Sequence, residues 1–296
     1  MLVWTTTLTK IIAMAVHRFK NCVYHYTTCE SLFGMLQGYS EENPNFTMWA
    51  THYAFMNDSS EYEFGKRVCK EAMEIYENRN GITGEKSFFA YLPSGATKMW
   101  TDDEPYIISF SENDSSAAMW GMYADGGKGV AIILERESLI LRKIEAKTPS
   151  HRTPSKCYYC EKSTDLIEND HIPLLHRIFE IRRDTPDNQT TIHPIDVYLR
   201  TPPTIKHKAF EYEKEYRMVL MNQKLKYDVK HRTRNGVIVP YIEEKIPSSR
   251  IKGIIVGPKA DFEQVKLSLQ MFFKGKGGDL TRLCDEIYQS DIPFRG

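Results

Sequence analysis

Acidic and basic residues alternate along one short segment of the chain, residues 211–220, with the sequence EYEKEYRMVL. In a β-strand, successive side chains point to opposite faces, so Glu211, Glu213, Glu215 and Arg217 would share one face. Such a face suits a polar site, because the guanidinium of Arg217 can hold one carboxylate while another accepts a proton or a sugar hydroxyl. The same pattern is typical of a solvated strand face with charge pairs, and the segment alone does not decide between the two.

Polar and aromatic side chains also lie where other predicted elements begin or end. His25 and Thr27 close a predicted strand just before a helix, with Tyr26 between them, and histidine can donate or accept a proton near neutral pH. Trp120 and Tyr123 are three residues apart, so they lie on one side of a helix. Two interpretations are open: the two rings pack in a hydrophobic core, or they stack on a flat ligand.

Two further polar residues stand beside predicted helix starts. Ser111 ends a strand before the aromatic helix, and Asn57 precedes a loop-to-helix junction. Backbone N–H groups at such a junction bind anions or a capping side chain. Asp58 with Glu61 three residues later predicts the helix start itself, but this pattern gives no structural reason for Asn57.

Residue patterns predict the elements that must position these side chains. Strands are predicted over 21–26, 46–50, 106–111, 129–135, 212–221, 236–241, 251–256 and 285–288. Helices are predicted over 28–37, from Asp58 onward, up to Tyr123, near 174–182 and over 261–273. Because the order has no regular βαβ alternation, the fold class is α+β. Residues 146–203 lose this periodicity, so we expect one globular domain over 1–296 with a loop-rich insertion there.

Composition excludes several classes of protein. The formal net charge of +0 gives no general attraction to nucleic acid or to an anionic membrane, and no apolar run is long enough to span a bilayer. The six scattered cysteines do not form a disulfide framework, which predicts a reducing, cytoplasmic setting. Cys157 and Cys160 form one CxxC without a second pair, so no metal site is expected. The chain has no P-loop, GxSxG, HExxH or GxGxxG motif.

Six segments occur in a fixed order across nearly the whole chain: YHYTTCESLFGML, FMNDSSEYE, ISFSENDSSAAMWGMYADGGKGVAI, KHKAFEYEKEYRMVL, IKGIIVGP and SDIPFR. Together they resemble the bacterial domain-of-unknown-function family DUF 2971, whose name implies no activity. A more distant resemblance is to the ADP-ribosyltransferase fold, including the DNA-modifying toxins of toxin–antitoxin pairs. That resemblance implies split mixed or antiparallel sheets with a cleft, helices packed on the outside, and NAD as the substrate.

The resemblance also implies roles for individual residues. His25 with Thr27 resembles the clamp on the NAD ribose, and Tyr123 or Trp120 resembles the aromatic that stacks on nicotinamide. Glu215, or in its place Glu213, resembles the catalytic glutamate, with Arg217 orienting it or meeting a phosphate. The implied cofactor-binding set is His25, Tyr26, Thr27, Asn57, Ser111, Trp120 and Tyr123. We expect Glu215→Gln to leave the fold intact, because Arg217 would keep Glu213 or Glu211 as a partner.

Two alternatives stay open. A basic run beside the acidic strand is either a solvated hairpin or a track for phosphates; it consists of Lys224, Lys226, Lys230, His231, Arg232 and Arg234. A phosphate track would make the chain a nucleic-acid-directed component of phage defence without NAD chemistry of its own. The other alternative is a module that binds a small molecule in the same cleft without catalysis. The acceptor of a transferase would be nucleic acid or protein.

Overall fold

A computed structural model describes residues 19, 21–57, 60–91, 104–136, 139, 154–185, 199–221, 228–234 and 236–293. The strands are β1 (Cys22–Thr27), β2 (Asn45–His52), β3 (Pro105–Ser111), β4 (Val130–Glu135), β5 (Ser155–Lys156), β6 (Tyr158–Cys160), β7 (Ile205–His207), β8 (Glu215–Met221), β9 (Lys230–Arg234), β10 (Val237–Pro247), β11 (Ile251–Val256) and β12 (Ile287–Gln289). The α-helices are α1 (Cys29–Leu36), α2 (Glu61–Arg79), α3 (Phe88–Tyr91), α4 (Ala117–Tyr123), α5 (Asp165–Glu168), α6 (His171–Arg183) and α7 (Phe262–Lys276). Strands and helices thus mix as expected for an α+β chain.

Contacts divide the chain into two compact units, each built from separate stretches of sequence. Unit 1 comprises residues 1–47, 110–140 and 245–296, and unit 2 comprises residues 48–109 and 141–244. The expectation of a single domain over 1–296 stays a prediction. Among the described residues, no helix is long and apolar enough to cross a membrane.

Unit 1 contains a mixed sheet whose order is β12-β11-β4-β1. Strand β4 pairs antiparallel with both β1 and β11, whereas β12 pairs parallel with β11. The turn after α4 has positive φ angles at Asp125, Gly126 and Gly127, and a Cβ at Gly129 would lie 2.3 Å from the carbonyl oxygen of Thr27. Glycine at positions 126, 127 and 129 therefore lets β4 begin directly beside the end of β1.

Unit 2 packs helices α2 and α6 around an apolar cluster. Antiparallel pairs join β2 with β3, β9 with β10 and β5 with β8, and β6 pairs parallel with β7. The buried members of the cluster are Val68, Cys69, Ala72, Met73, Phe88, Cys160, Leu166, Ile172, Leu175, Phe179 and Ile205. Four of them recur at helical spacing on one side of α2, and this stripe fixes the helix against the rest of the unit.

Local signals in the sequence placed several elements correctly. Helix α1 is capped by Thr28, whose side chain accepts a hydrogen bond from the N–H of Ser31, and α4 is capped by Ser116 in the same way. Within 146–203 the described residues form more regular structure than expected, because α6 is longer than the predicted 174–182 and β5, β6 and α5 precede it. Helix α2 begins at Glu61 with Ser60 at its N-cap, and the predicted cap Asp58 lies outside the described residues.

One close approach in unit 2 leads to a test of packing. A Cβ at Gly65 in α2 would lie 2.2 Å from the carbonyl oxygen of Pro202. Alanine favours a helix by about 1 kcal/mol over glycine. Relieving the clash, however, requires the backbone at Pro202 to shift, which costs more free energy than moving a flexible side chain. We expect Gly65→Ala to lower the free energy of unfolding by about 1–3 kcal/mol, measured by urea denaturation.

Gly275 in α7 provides the matched control, since a Cβ there meets no atom within 4 Å. Gly275→Ala should leave stability unchanged or raise it by up to about 1 kcal/mol. Equal effects of the two substitutions would contradict the packing argument.

Candidate functional site

Five charged side chains of unit 2 meet in one buried cluster, which we call the charge cluster. Lys206 lies at its centre, with Nζ 2.9 Å from Glu61, 2.5 Å from Glu213 and 2.8 Å from Glu215. Arg217 completes it. Every hydrogen bond in the group joins a cation to a carboxylate or to a backbone carbonyl, which is the condition for burying charge at a tolerable cost.

Arg217 holds two of the carboxylates and a backbone oxygen. Its Nε and Nη2 donate to the two oxygens of Glu215 at 2.7 and 2.9 Å, which is a bidentate pair. Nη2 also donates to Glu61 at 2.5 Å, and Nη1 donates to the carbonyl oxygen of Pro203 at 2.7 Å. The guanidinium therefore fixes both the position and the plane of the Glu215 carboxylate.

A turn, rather than a continuous strand, brings Glu213 and Glu215 to the same side. Residues 208–213 form a 3-10 helix, Lys214 adopts a left-handed conformation with φ of 43°, and β8 begins only at Glu215. The prediction of a strand over 212–221 is therefore wrong at its start. The expected grouping of Glu213, Glu215 and Arg217 is found, but Glu211 is exposed and has no part in it.

Lys206 and Glu61 were missed as site residues. Lys206 lies on β7, and Glu61 is the first residue of α2, where the sequence indicated only a capping role. Glu61 and Arg217 are 156 positions apart in the chain. A single Lys or Glu has no local pattern that marks it as a partner, so the sequence offered no signal for either residue.

Electrostatics keep the charge cluster ionised. Burial alone would raise the pKa of Glu215, but the charges and hydrogen bonds of Arg217 and Lys206 outweigh burial and hold that pKa well below its usual range. Burial would likewise lower the pKa of Lys206, but the carboxylates of Glu215, Glu61 and Glu213 raise it. Three carboxylates face two cations, so the formal charge of the charge cluster, with all five side chains ionised, is one negative unit.

Solvent reaches the charge cluster at one point. Glu213 and Glu215 retain only 2% and 5% of their exposed area, whereas 12% of the Glu61 side chain is exposed. The N–H of Glu215 donates to the hydroxyl of Tyr159 at 2.7 Å, so the backbone at the start of β8 is also held. Of the three carboxylates, that of Glu61 is therefore the most exposed to a ligand that carries positive charge.

The residues predicted to bind the cofactor lie mostly in unit 1. Tyr26 packs edge-on against Trp120, with ring centroids 4.9 Å apart, and its hydroxyl donates to the carbonyl oxygen of Asn113. Trp120 is fully buried, so its ring is part of the core, whereas Tyr123 keeps exposed surface. Of these two candidates for stacking on nicotinamide, Tyr123 is the one that a ligand can reach.

The remaining unit 1 candidates surround the same strand. The ring of His25 lies 5.9 Å from that of Phe110, Thr27 is buried at the end of β1, and Ser111 accepts a hydrogen bond from the N–H of Asn113. Asn57 belongs instead to unit 2, as do Glu213, Glu215 and Arg217. Each unit therefore contains some of the predicted site residues.

The two cysteines of the CxxC motif have the properties of core residues. Cys157 and Cys160 are buried free thiols, and burial raises the pKa of both, that of Cys160 to about 11. A raised pKa disfavours the thiolate that a metal requires. In the described ranges, no group of three or more His, Cys, Asp or Glu side chains is placed to hold a metal ion.

The comparisons with known proteins give one family and no activity. The family model "Protein of unknown function (DUF2971)" matches residues 119–218, a range that includes Lys206, Glu213, Glu215 and Arg217. No curated protein and no solved structure gives a significant match to the chain. The resemblance to DUF 2971 is thus supported over this range, and function has to be argued from the side chains themselves.

The imbalance of the charge cluster predicts unequal effects of two substitutions. Lys206→Met leaves three buried carboxylates facing one cation, which we expect to lower the free energy of unfolding by about 3–5 kcal/mol. Glu215→Gln leaves two carboxylates and two cations and removes only charge-assisted hydrogen bonds, so about 1–2 kcal/mol is expected. Urea denaturation at pH 7 measures both. An equal or larger loss for Glu215→Gln would contradict this charge balance.

The lowered pKa of Glu215 also predicts how stability depends on pH. A carboxyl group with a lower pKa in the folded state stabilises the fold above its unfolded pKa, about 4.3, and this contribution is lost as the pH falls through the folded value. The stability difference between the wild type and Glu215→Gln should therefore be constant from pH 6 to 8 and shrink in acid. A difference that grew on acidification would contradict the direction of the shift.

Proposed function

We propose that the chain is an NAD-consuming enzyme of the ADP-ribosyltransferase type, which cleaves the bond between nicotinamide and ribose. The observation that supports the proposal most is the ionised carboxylate of Glu215, held in place within a cluster of net negative charge. A group that is fixed before the reaction begins stabilises charge in the transition state at no further cost of reorganisation.

The chemistry of the bond explains why a negative group is useful. As nicotinamide leaves with the bonding electron pair, positive charge develops on the ribose, as in the oxocarbenium-like transition state of glycoside hydrolysis. In this proposal Glu215 stabilises that charge electrostatically, while Arg217 holds the carboxylate in position. The acceptor then forms the new bond to the ribose carbon and loses its proton.

The composition of the charge cluster connects it to the family resemblance. Glu61 belongs to the segment FMNDSSEYE, whereas Lys206, Glu213, Glu215 and Arg217 belong to KHKAFEYEKEYRMVL. Two of the six segments on which the resemblance rests thus meet through their charged residues. This agreement favours the charge cluster over other groups of unit 2 as the reacting part of the protein.

The resemblance to ADP-ribosyltransferases supplies the remaining roles in the proposal. His25 and Thr27 bind the ribose, and Tyr123 stacks on nicotinamide because its ring keeps exposed surface. Trp120, packed under Tyr26, supports that surface from within the core. The split sheets of the ADP-ribosyltransferase fold, and a part in toxin action or phage defence, belong to the same proposal.

The test is release of nicotinamide from NAD, with water, DNA, RNA or protein offered as the acceptor. We expect Glu215→Gln to lower the rate by on the order of a hundredfold or more, because the substitution keeps the size of the side chain and removes its charge. Folding of the variant is checked by circular dichroism, and the assay is run well below its unfolding temperature.

Glu77→Gln is the matched control, since Glu77 is another buried carboxylate of unit 2 in a separate network. It accepts hydrogen bonds from the N–H of Phe88 at 2.6 Å and from Ser87 at 2.7 Å. This variant should lose stability but keep the rate of nicotinamide release. Equal rates for wild type and Glu215→Gln, or no release and no NAD binding by calorimetry in the wild type, would reject the proposed function.

A further inference from the structure

The outer face of the sheet formed by β2, β10 and β9 in unit 2 carries arginines and aromatic rings. Trp49 and Thr51 on β2 share one face, and Tyr241 on β10 lies next to Trp49, with ring centroids 5.7 Å apart. Arg232 and Arg234 lie two apart on β9 and point to the same face. The opposite face of β2 is buried, whereas on this face Trp49 is half-buried and Thr51 is buried.

Arg232 lies over the aromatic rings. Its Cζ lies 4.7 Å from the ring centroid of Trp49 and 5.5 Å from that of Tyr241, which is the geometry of a cation–π interaction. Nη2 donates to the hydroxyl of Thr51 at 2.9 Å, whereas Nε is buried and has no hydrogen-bond partner in the part of the chain that the structure describes. The guanidinium is thus fixed in place and retains donor capacity.

Among the described residues, no carboxylate neutralises the positive charge of this pair. Lys230 on the same strand forms an ion pair with Glu243 at 2.7 Å, but neither Arg232 nor Arg234 has a carboxylate partner among the described residues. Arg234 donates to the amide oxygen of Asn57 at 3.1 Å. Burial, and then the charge of Arg234, lower the pKa of Arg232 to about 10. A bound anion would favour the charged guanidinium and so oppose both effects.

We infer that this face binds single-stranded nucleic acid, with Arg232 and Arg234 contacting phosphates and the rings of Trp49 and Tyr241 stacking on bases. Open sheet faces that combine aromatic rings with arginine are suited to unstacked bases, because every base has a flat face and every linkage has a charge. The assignment accounts for Asn57, which the helix start left unexplained. It does not depend on the proposed NAD chemistry.

An edge strand often carries charge only to prevent pairing with another chain, and β9 pairs with β10 alone in the described part of the sheet. That role requires charged side chains that point into water. It does not require a guanidinium fixed over two rings with an unused donor. The arrangement around Arg232 therefore favours a ligand over edge protection alone.

The experiment measures fluorescence anisotropy of labelled twelve-residue oligo-dT and oligo-U with the full chain at 50 and 200 mM salt. We expect the wild type to bind both oligonucleotides. The double variant Arg232→Ala with Arg234→Ala should bind them at least tenfold more weakly, and its affinity should depend less on salt. Trp49→Leu should weaken binding roughly tenfold through lost stacking. If the double variant does not fold, Arg234→Ala alone carries the test, because that side chain is exposed.

Arg79→Ala is the matched control for Arg234→Ala, since Arg79 is an exposed arginine at the end of α2 and its loss changes the net charge by the same single unit. It should bind the oligonucleotides like the wild type. An equal loss in Arg79→Ala, tighter binding of duplex DNA than of single strands, or equal affinity for polyphosphate of the same charge would overturn the inference. So would the absence of binding at 50 mM salt.

Discussion

The burial of Lys206 and Arg217 is the constraint on which the arrangement of unit 2 depends. Removing each cation from water costs several kcal/mol, and this cost is offset only when every carboxylate stands within hydrogen-bonding distance. Three elements supply those carboxylates: the start of α2, the 3-10 helix before β8, and β8 itself. The charge cluster therefore fixes these elements to one another with the precision of hydrogen-bond lengths, which apolar packing alone does not impose.

The same constraint ties stability to the proposed chemistry. A carboxylate that must stay ionised in a dry environment needs cations beside it, and those cations reduce the field that it presents to a ligand. The charge cluster resolves this conflict with an excess of one carboxylate, so a negative field remains after pairing. The left-handed Lys214 contributes by turning both Glu213 and Glu215 toward Lys206. The apolar cluster around α2 and α6 supplies the surrounding rigidity.

Local features could be predicted from the sequence because their causes are local. The caps at Thr28 and Ser116 and the strands of aromatic and β-branched residues depend on neighbours within a few positions. The membership of Glu215 and Arg217 in one polar group also followed from alternation along a strand. The turn at Lys214 did not, because nothing in the sequence marks a lysine for a left-handed conformation.

The rest of the candidate site depends on contacts between distant parts of the chain. Spacing placed Trp120 and Tyr123 on one side of a helix, but burial of the first against Tyr26 depends on how β1 packs beside α4. Glu61 was indistinguishable from a capping residue until its partner 156 positions away was known. For the same reason, the basic run suggested a phosphate track, while the two rings that hold Arg232 come from β2 and β10 and were not anticipated.

The discontinuity of both units has a consequence for synthesis. Strand β4 pairs with β11, which begins more than a hundred residues later in the chain, so unit 1 cannot close its sheet until the ribosome has made residues 251–256. At roughly 5–20 residues per second, the mostly apolar strand β4 then stays on the order of ten seconds without its partner β11. We therefore expect the nascent chain, rather than the finished protein, to be the form that most needs protection by chaperones.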